Sequence, residues 1–365
     1  MKTKKKKIIA AMSGGVDSSV AAALMKEKGY DVIGVTLKLI DCESFSEKKK
    51  SCCGIDDRRQ VIEVCKKLEI PHYFLDLREK FEKKVLLKCW ENYSSGMTPN
   101  PCVLCNRYLK FGELLNFAHS VGADGIVTGH YAKILMSDDG SVLLFRGKDK
   151  TKDQSYFLSL VKSKDLSRTF TPLSEYDKVT VREIARKLEL PNSEKRESQD
   201  VCIGLLGKNF AETLRLKFGK EAKSGFLMDE DGSILGKHNG IHNFTIGQRR
   251  GFGVGFGKPI FVTKIIPSKS EVILSFDESK LFSKIFRISQ LNWLLADYSQ
   301  KDSFYAEVQI RYRSKSAKAT IKKVDNMEVI VEFNSAQRAI TPGQTAVIYD
   351  GDCVIGGGII SSVID

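Results

Sequence analysis

The sequence predicts an α/β domain built on a parallel sheet, followed by a small central β domain and a C-terminal β-barrel. Three observations lead there. Between residues 7 and 132, strand-like and helix-like segments alternate, the pattern of a parallel sheet covered by helices on both faces. After about residue 205 the character changes to short strands and glycine turns. From about residue 278 to the end the pattern is all β, as in a small barrel. The expected divisions are 1–205, 206–277 and 278–365, consistent with a 365-residue chain too long for one ordinary domain.

Each element has a local reason. Residues 8–12 are a short apolar strand, and 18–28 a helix closed by Gly29. Residues 31–40 are rich in β-branched side chains and read as a strand. Val61, Ile62, Val64, Cys65 and Leu68 recur at helical spacing within 56–68, and 71–77 is a strand again. A helix over 106–120 precedes a strand over 125–128 that runs into Gly129-His130. A hairpin is expected over 139–146, around Asp138-Asp139-Gly140, with helical stretches over 154–162 and 179–188. In the last part, turns fall at Asp325-Asn326, Pro342-Gly343 and Asp350-Gly351.

Composition narrows the class. The net charge is +13, from 58 basic and 45 acidic residues, and it is spread along the chain. Such an excess suits either a polyanionic partner such as nucleic acid or a solvated lysine-rich surface. No apolar run approaches the ~18 residues of a membrane span, and the apolar stretch 8–12 is too short for a secretory signal. A cytoplasmic protein without membrane partners is expected. Nine cysteines without a secretory signal argue against a disulfide framework.

The sharpest motif is Ser13-Gly14-Gly15-Val16-Asp17-Ser18-Ser19, between the first strand and the first helix. Glycines permit a tight turn and close ligand approach. The unpaired amides and positive dipole at the helix start suit phosphate, and Ser18 or Ser19 can add hydroxyls. Asp17 would repel bare phosphate unless it helps hold Mg²⁺, which favours a metal–nucleotide ligand. No Gly-Lys-Ser/Thr follows, so this is not a Walker A loop. The bland alternative is a serine–glycine turn that starts a helix. The string resembles the loop of enzymes that split ATP between its α and β phosphates.

The second motif is Thr98-Pro99-Asn100-Pro101-Cys102-Val103-Leu104-Cys105-Asn106-Arg107. The prolines fix an extended loop, and a helix starting at Cys105-Asn106 would favour the Cys105 thiolate. A further thiol, Cys202, lies in the polar stretch 198–204. Zinc is an alternative for the Cys102–Cys105 pair, but no second pair has convincing spacing. Cys65 and Cys353 fit apolar patterns as core residues, and Cys42, Cys52 and Cys53 lie in a charged loop, where the role is open and a structural or incidental one is favoured. His238 and His242 read as structural residues of a β turn.

With these motifs in order, the chain resembles the bacterial tRNA-specific 2-thiouridylase family of pyrophosphatase-loop enzymes over nearly its whole length. Further markers are Thr128-Gly129-His130-Tyr131, residues 152–157, His238-Asn239-Gly240, residues 244–251, Arg311-Tyr312-Arg313 and Thr341-Pro342-Gly343-Gln344. The resemblance implies an adenine nucleotide α-hydrolase-like catalytic domain, ATP with Mg²⁺ as reactant, and 2-thiolation of uridine at wobble position 34. Ala11, Met12, Ser13, Gly14, Gly15, Val16, Asp17, Ser18, Leu37 and Gly129 would line the ATP site. Asn100, Pro101 and Cys102 would border the target base. Cys105 and Cys202 would be catalytic, Cys202 carrying persulfide sulfur and ending in a disulfide with Cys105. His130, Lys152, Asp153, Gln154, Arg311, Tyr312 and Gln344 would touch tRNA. Implied partners are tRNAs of the Lys, Glu and Gln types and a sulfur donor such as a cysteine desulfurase or relay protein.

Cys102 departs from the acidic residue that many members carry there. It creates a possible 4Fe–4S ligand set of Cys102, Cys105 and Cys202, an alternative to the persulfide route. Rival readings are another pyrophosphatase-loop tRNA enzyme, of 4-thiouridine or lysidine type, and a non-catalytic tRNA-binding protein that uses ATP as a structural ligand. Pyrophosphate release that depends on tRNA separates the enzymes from the binding protein.

Overall fold

The computed structural model describes residues 5–40, 55–196, 209–219, 223–253 and 255–364. The chain forms two compact units. The first comprises Met1–Val85, Cys102–Gly207 and Asp352–Val354; the second comprises Leu86–Pro101, Lys208–Gly351 and Ile355–Asp365.

The first unit is built on β1 (Lys7–Ala11), β2 (Asp31–Lys38), β3 (His72–Asp76), β4 (Gly125–Val127), a hairpin of β5 (Ala132–Met136) and β6 (Val142–Arg146), and β7 (Thr169–Phe170). Five of these make a sheet in the order β3-β2-β1-β4-β7. Every pair in it is parallel. Ile8 and Ile9 of β1 and Ile126 of β4 are buried, as expected of central strands covered on both faces. Helix α1 (Val16–Glu27) is buried almost all round; Ala21, Ala22 and Ala23 let it lie close to the core formed with Ile8, Ala10, Val64 and Val181.

The topology positions a site. β2 and β3 lie on one side of β1, β4 and β7 on the other. Chain direction across the sheet therefore reverses between β1 and β4, and their C-terminal ends open a crevice where ligands of such sheets bind.

Three helical expectations need correction. The helix expected over 106–120 begins at Pro101, with an α-turn over Pro101–Cys105, a π-helical stretch over Asn106–Glu113 and an α-helix over Leu114–Ser120. Proline suits the first helical position, having no N–H to lose and a φ already set. A helical stretch over Arg78–Ser94, interrupted by a π-turn at Glu82–Leu86, stands where no element was expected. Its buried residues Phe81, Val85, Leu86 and Cys89 form the stripe that betrays it. The helix near 154–162 shrinks to Ser155–Leu158.

The hairpin turn lies where Asp138-Asp139-Gly140 placed it, with Ser141 N–H donating to Asp139 Oδ1 at 2.8 Å. Phe145 of this hairpin pairs with Cys353, and Arg146 N–H donates to Asp352 O at 2.9 Å.

The second unit contains a small sheet of β8 (Gly225–Met228), β9 (Ile234–His238), β10 (Phe261–Ile266) and β11 (Glu271–Ser275), in the order β10-β11-β8-β9. Leu227, Phe244, Phe252, Val262 and Leu274 fill its core. A helix at Phe210–Phe218, capped by Asn209 Oδ1 accepting from Glu212 N–H at 2.7 Å, precedes it where only β structure was expected. β12 (Phe282–Trp293), β13 (Ser303–Gln309), β14 (Ala317–Lys323), β15 (Val329–Arg338), β16 (Thr345–Asp350) and β17 (Cys353–Val363) follow. They run in the order β12-β15-β14-β13-β16-β17, and β12 also pairs with β17, which closes a six-stranded barrel. Phe286 and Phe333 stack in its core with ring centroids 5.4 Å apart. The Leu86–Pro101 segment belongs to this unit, with Trp90 against His242 and Tyr93 against Phe210.

Candidate active site

The phosphate loop leaves β1 at the sheet's switch point. Met12 N–H still donates to Val35 O at 2.8 Å, and Met12 O accepts from Thr36 Oγ1 at 2.9 Å, so the loop starts from fixed backbone. Gly14 has φ +76°, a conformation that favours glycine. Gly15 is the N-cap of α1 and offers no side chain to it, so no side chain caps the first turn. Ser18 and Ser19 turn their hydroxyls back to Gly15 O, at 3.0 and 3.1 Å, and so hold the loop's own shape. From β4, Gly129 packs on the same turn: a Cβ there would lie 2.7 Å from Asp17 C and 2.8 Å from Ser18 N. Leu37 sits on β2, two residues beyond Val35, the partner of Ala11. Ala11–Ser18, Leu37 and Gly129 thus belong to one end of the sheet.

Four residues reach this loop that the sequence reading did not assign to it. Tyr131 Oη donates to Asp17 Oδ1 at 2.8 Å, and Lys178 Nζ donates to the same oxygen at 2.6 Å. Asn192, only 1% exposed, donates from Nδ2 to Gly14 O at 3.2 Å and to Ser19 Oγ at 3.0 Å. Lys195 Nζ donates to Gly14 O at 3.0 Å. A carboxylate in the motif was a signal that a cation would be found, but not which one.

Cys102 and Cys105 occupy one helical turn and are half-buried. Their spacing of three places them on one helix face. Because the helix begins at Pro101, Cys102 lies in the first turn and Cys105 near the end of that turn. The helix start therefore lies at Pro101 and not at Cys105-Asn106. Cys65 behaves as a core residue, its thiol pushed up to about 11 by burial. Cys202, Cys42, Cys52 and Cys53 lie outside the described residues. Among the described residues, no group of three His, Cys, Asp or Glu could hold a metal ion.

The loop before Pro101 is held by a turn far along the chain. Thr98 N–H donates to Pro342 O at 2.9 Å, and Gln344 Nε2 donates to Thr98 O at 2.8 Å. Gly343, at φ +91°, approaches so closely that a Cβ would lie 2.7 Å from Thr98 N. Gln344 thus braces the loop that carries Asn100 and Pro101.

The residues expected to touch tRNA divide into two kinds. His130 is buried against Phe111, with Nδ1 2.9 Å from Thr128 Oγ1, and burial lowers its pKa well below that of an ordinary histidine, with Lys110 adding to the effect. Asp153 is buried, accepting from Gly147 N–H, Ser155 N–H and Ser155 Oγ and pairing with Arg146 at 3.3 Å. Both side chains are largely buried, with His130 Nδ1 and the Asp153 carboxylate partnered inside. Gln154 Oε1 accepts from Tyr131 N–H at 3.2 Å. Lys152 is half-buried, Arg311 is exposed in the turn after β13, and the Arg313 guanidinium lies over the half-buried Tyr312 ring at 5.7 Å. His238 and His242 are buried and structural: His238 Nε2 lies 3.1 Å from Ser270 O, and His242 Nε2 lies 3.0 Å from Glu212 Oε2.

Comparison with known proteins supplies the family. The chain is 44% identical over 359 residues to a tRNA-specific 2-thiouridylase from Carboxydothermus hydrogenoformans, covering 98% of both chains. It belongs to the tRNA-specific 2-thiouridylase family. Another 2-thiouridylase, from Clostridium botulinum, is 43% identical over 365 residues, covering 100% of each, and that of Clostridioides difficile is 41% identical over 356 residues, covering 97% of this chain and 98% of its own. Family profiles match as a tRNA methyl transferase HUP domain over residues 6–204, a tRNA methyl transferase PRC-barrel domain over 215–275 and an aminomethyltransferase β-barrel domain over 283–360. Among solved structures, a 4-thiouridine synthetase in complex with RNA and ATP aligns with 58% of this chain and 49% of its own at 16% identity and a TM-score of 0.35, too loose to add to the sequence match. The profile descriptions speak of methyl transfer and the 2-thiouridylase relatives of thiolation. The full-length identity to the named relatives favours the second. No helix among the described residues is long and apolar enough to cross a membrane.

Proposed function

We propose that this enzyme thiolates C2 of the wobble uridine of tRNA, acting as a tRNA-uridine 2-sulfurtransferase. One observation carries the reading: an uncapped glycine loop at the switch point of a parallel sheet, in the same unit as the Cys102–Cys105 turn. The C2 oxygen is a poor leaving group. ATP held at Ser13–Ser18 remedies this: the uridine oxygen bonds to the α-phosphorus, the bond to the β-phosphate breaks with its electron pair leaving on pyrophosphate, and the N3 proton passes to water. Asp17 is the carboxylate of the loop and would hold Mg²⁺ on the phosphates.

Sulfur comes from a persulfide on Cys202. Its terminal sulfur bonds to C2 as AMP leaves. The Cys105 thiolate then attacks the Cys202 sulfur, the S–S bond to the transferred atom breaks, and 2-thiouridine departs. The resulting Cys105–Cys202 disulfide needs an external thiol reductant, and the persulfide needs a sulfur-donor protein. Asn100 and Pro101 border the unstacked base, which an anticodon loop presents cheaply. Lys152, Arg311 and Tyr312 contact the tRNA. The enzyme works in the cytoplasm on tRNAs of the Lys, Glu and Gln types.

A second reading, a 4Fe–4S cluster on Cys102, Cys105 and Cys202, is favoured by the shared helix face of the first two. Such a cluster would supply sulfide from an open iron site. Iron and acid-labile sulfide in anaerobically prepared protein decide between the two, with Cys102→Asp as the control.

The function is tested with purified enzyme, ATP, tRNA and a persulfide donor. Pyrophosphate release that depends on tRNA, and a thiolated nucleoside on digestion, are expected. ATP binding without tRNA-dependent release would favour the binding-protein alternative.

A further inference from the structure

Lys178 reaches the phosphate loop from a helix far along the chain. Its backbone is fixed twice. Asp177 caps the Lys178–Lys187 helix by accepting from Thr180 N–H at 2.8 Å, and Lys178 N–H donates to Asp149 Oδ2 at 3.2 Å. From this anchored start the side chain runs to the phosphate loop, where Nζ is 2.6 Å from Asp17 Oδ1 and 5.8 Å from the centre of the Tyr131 ring. The side chain is 12% exposed, against 32% for Asp17. After the helix, Asn192 and Lys195 take hold of Gly14 O. One helix and its following turn therefore grip the loop at two points.

A largely buried ion pair contributes little net stability, because the desolvation of both charges offsets their attraction. Its place is more informative. It stands beside uncapped first-turn amides, where a polyphosphate would bring several negative charges. A buried ammonium can leave one anion only for another.

We propose that Lys178 is a nucleotide-binding residue whose resting partner is Asp17: when ATP enters, the ammonium turns from the carboxylate to the β- and γ-phosphates and stays with the pyrophosphate as it leaves. Asn192 is a positioning residue, holding the Gly14 carbonyl so that the loop keeps its shape during the exchange. The proposal rests on the reading of the loop as an ATP site. It adds the residue that distinguishes a triphosphate from a monophosphate, and the electron pair released on bridge cleavage ends on an oxygen that Lys178 faces.

The test is calorimetric titration of the full-length enzyme with ATP and, separately, with AMP, both with Mg²⁺. Lys178→Met is expected to weaken ATP binding about ten- to hundred-fold, the range for a hydrogen bond to a charged group. AMP binding should be unchanged, because AMP lacks the phosphates concerned. Lys178→Arg should restore most of the ATP affinity. An equal loss for ATP and AMP would reduce Lys178 to a structural ion pair, and an unchanged ATP affinity would remove it from the site. If Lys178→Met does not fold, Lys178→Gln, which can still donate to Asp17, is judged by the same ratio. Wild-type protein that binds neither nucleotide would overturn the ATP-site reading itself, a distinct failure.

Discussion

Gly129 carries a hydrogen where any other residue would place a carbon against the backbone of the phosphate loop. The obstructing atoms at 2.7 and 2.8 Å belong to Asp17 and Ser18 main chain, which cannot swing aside. Gly129→Ala is therefore expected to displace the first turn of α1, destabilise the protein by about 1–3 kcal/mol as overpacking does, and weaken ATP binding more than tRNA binding. Denaturant melts and nucleotide titration check both. Cys105→Ser should abolish thiolation while tRNA-dependent pyrophosphate release persists, since adenylation does not use the thiol; loss of both activities would place Cys105 in the first step.

Glu212 offers a pH-dependent test. The Arg215 hydrogen bonds, at 2.8 Å each, outweigh burial and, with the His242 contact, hold its pKa down at about 2, against the ordinary 4.5. A depressed carboxylate contributes stability that is fully present above its unfolded pKa and is lost as pH falls through the folded one. Glu212→Gln should cost roughly 2–3 kcal/mol at neutral pH. The gap from wild type should narrow as pH drops from 4.5 toward about 2, measured by urea denaturation at each pH.

Among the elements, the turn at Thr341–Gln344 and the loop at Thr98–Pro101 form one device assembled from opposite parts of the sequence. Gly343→Ala would both strain a φ of +91° and push Thr98 N aside. Thiolation should fall sharply while ATP affinity holds, as rate assays beside nucleotide titration would show. Neither half of this device discloses the other. The proline and glycine at 342–343 read as a turn, and 98–100 as an extended loop, each alone. The Ser13–Ser19 loop was legible because its chemistry is local: strand, glycines and helix start lie within a few residues. A helix start at Cys105 does not occur because Pro101, which also suits an extended loop, opens the helix instead. The π-helical stretches at Glu82–Leu86 and Asn106–Glu113 add residues per turn, so a 3.6-residue period loses register across them. Lys178, Asn192 and Lys195 were illegible because only the folded chain brings them to Gly14 and Asp17.

At the scale of the whole molecule, charge and topology matter most. The excess of +13 is distributed over the chain, so tRNA affinity should fall steeply with salt. Arg311→Ala should weaken tRNA binding and reduce the slope of log K against log salt by about 1, with ATP affinity intact; an unchanged slope would take Arg311 off the interface. Closing the barrel by the β12–β17 pairing removes exposed edges from those six strands.

The two units are interleaved along the chain, and this bears on how the protein is made. A ribosome releases the last piece of the first unit, Asp352–Val354, only long after β1 to β7 have emerged. Until then Arg146 N–H and Lys150 wait for Asp352, which receives them at 2.9 and 2.7 Å. The Leu86–Pro101 segment waits in the opposite sense, released early and docking only when later sequence arrives. Messages truncated before codon 352 should therefore yield nascent chains whose nucleotide-binding half is incomplete, a natural target for chaperones and proteases rather than a smaller working enzyme.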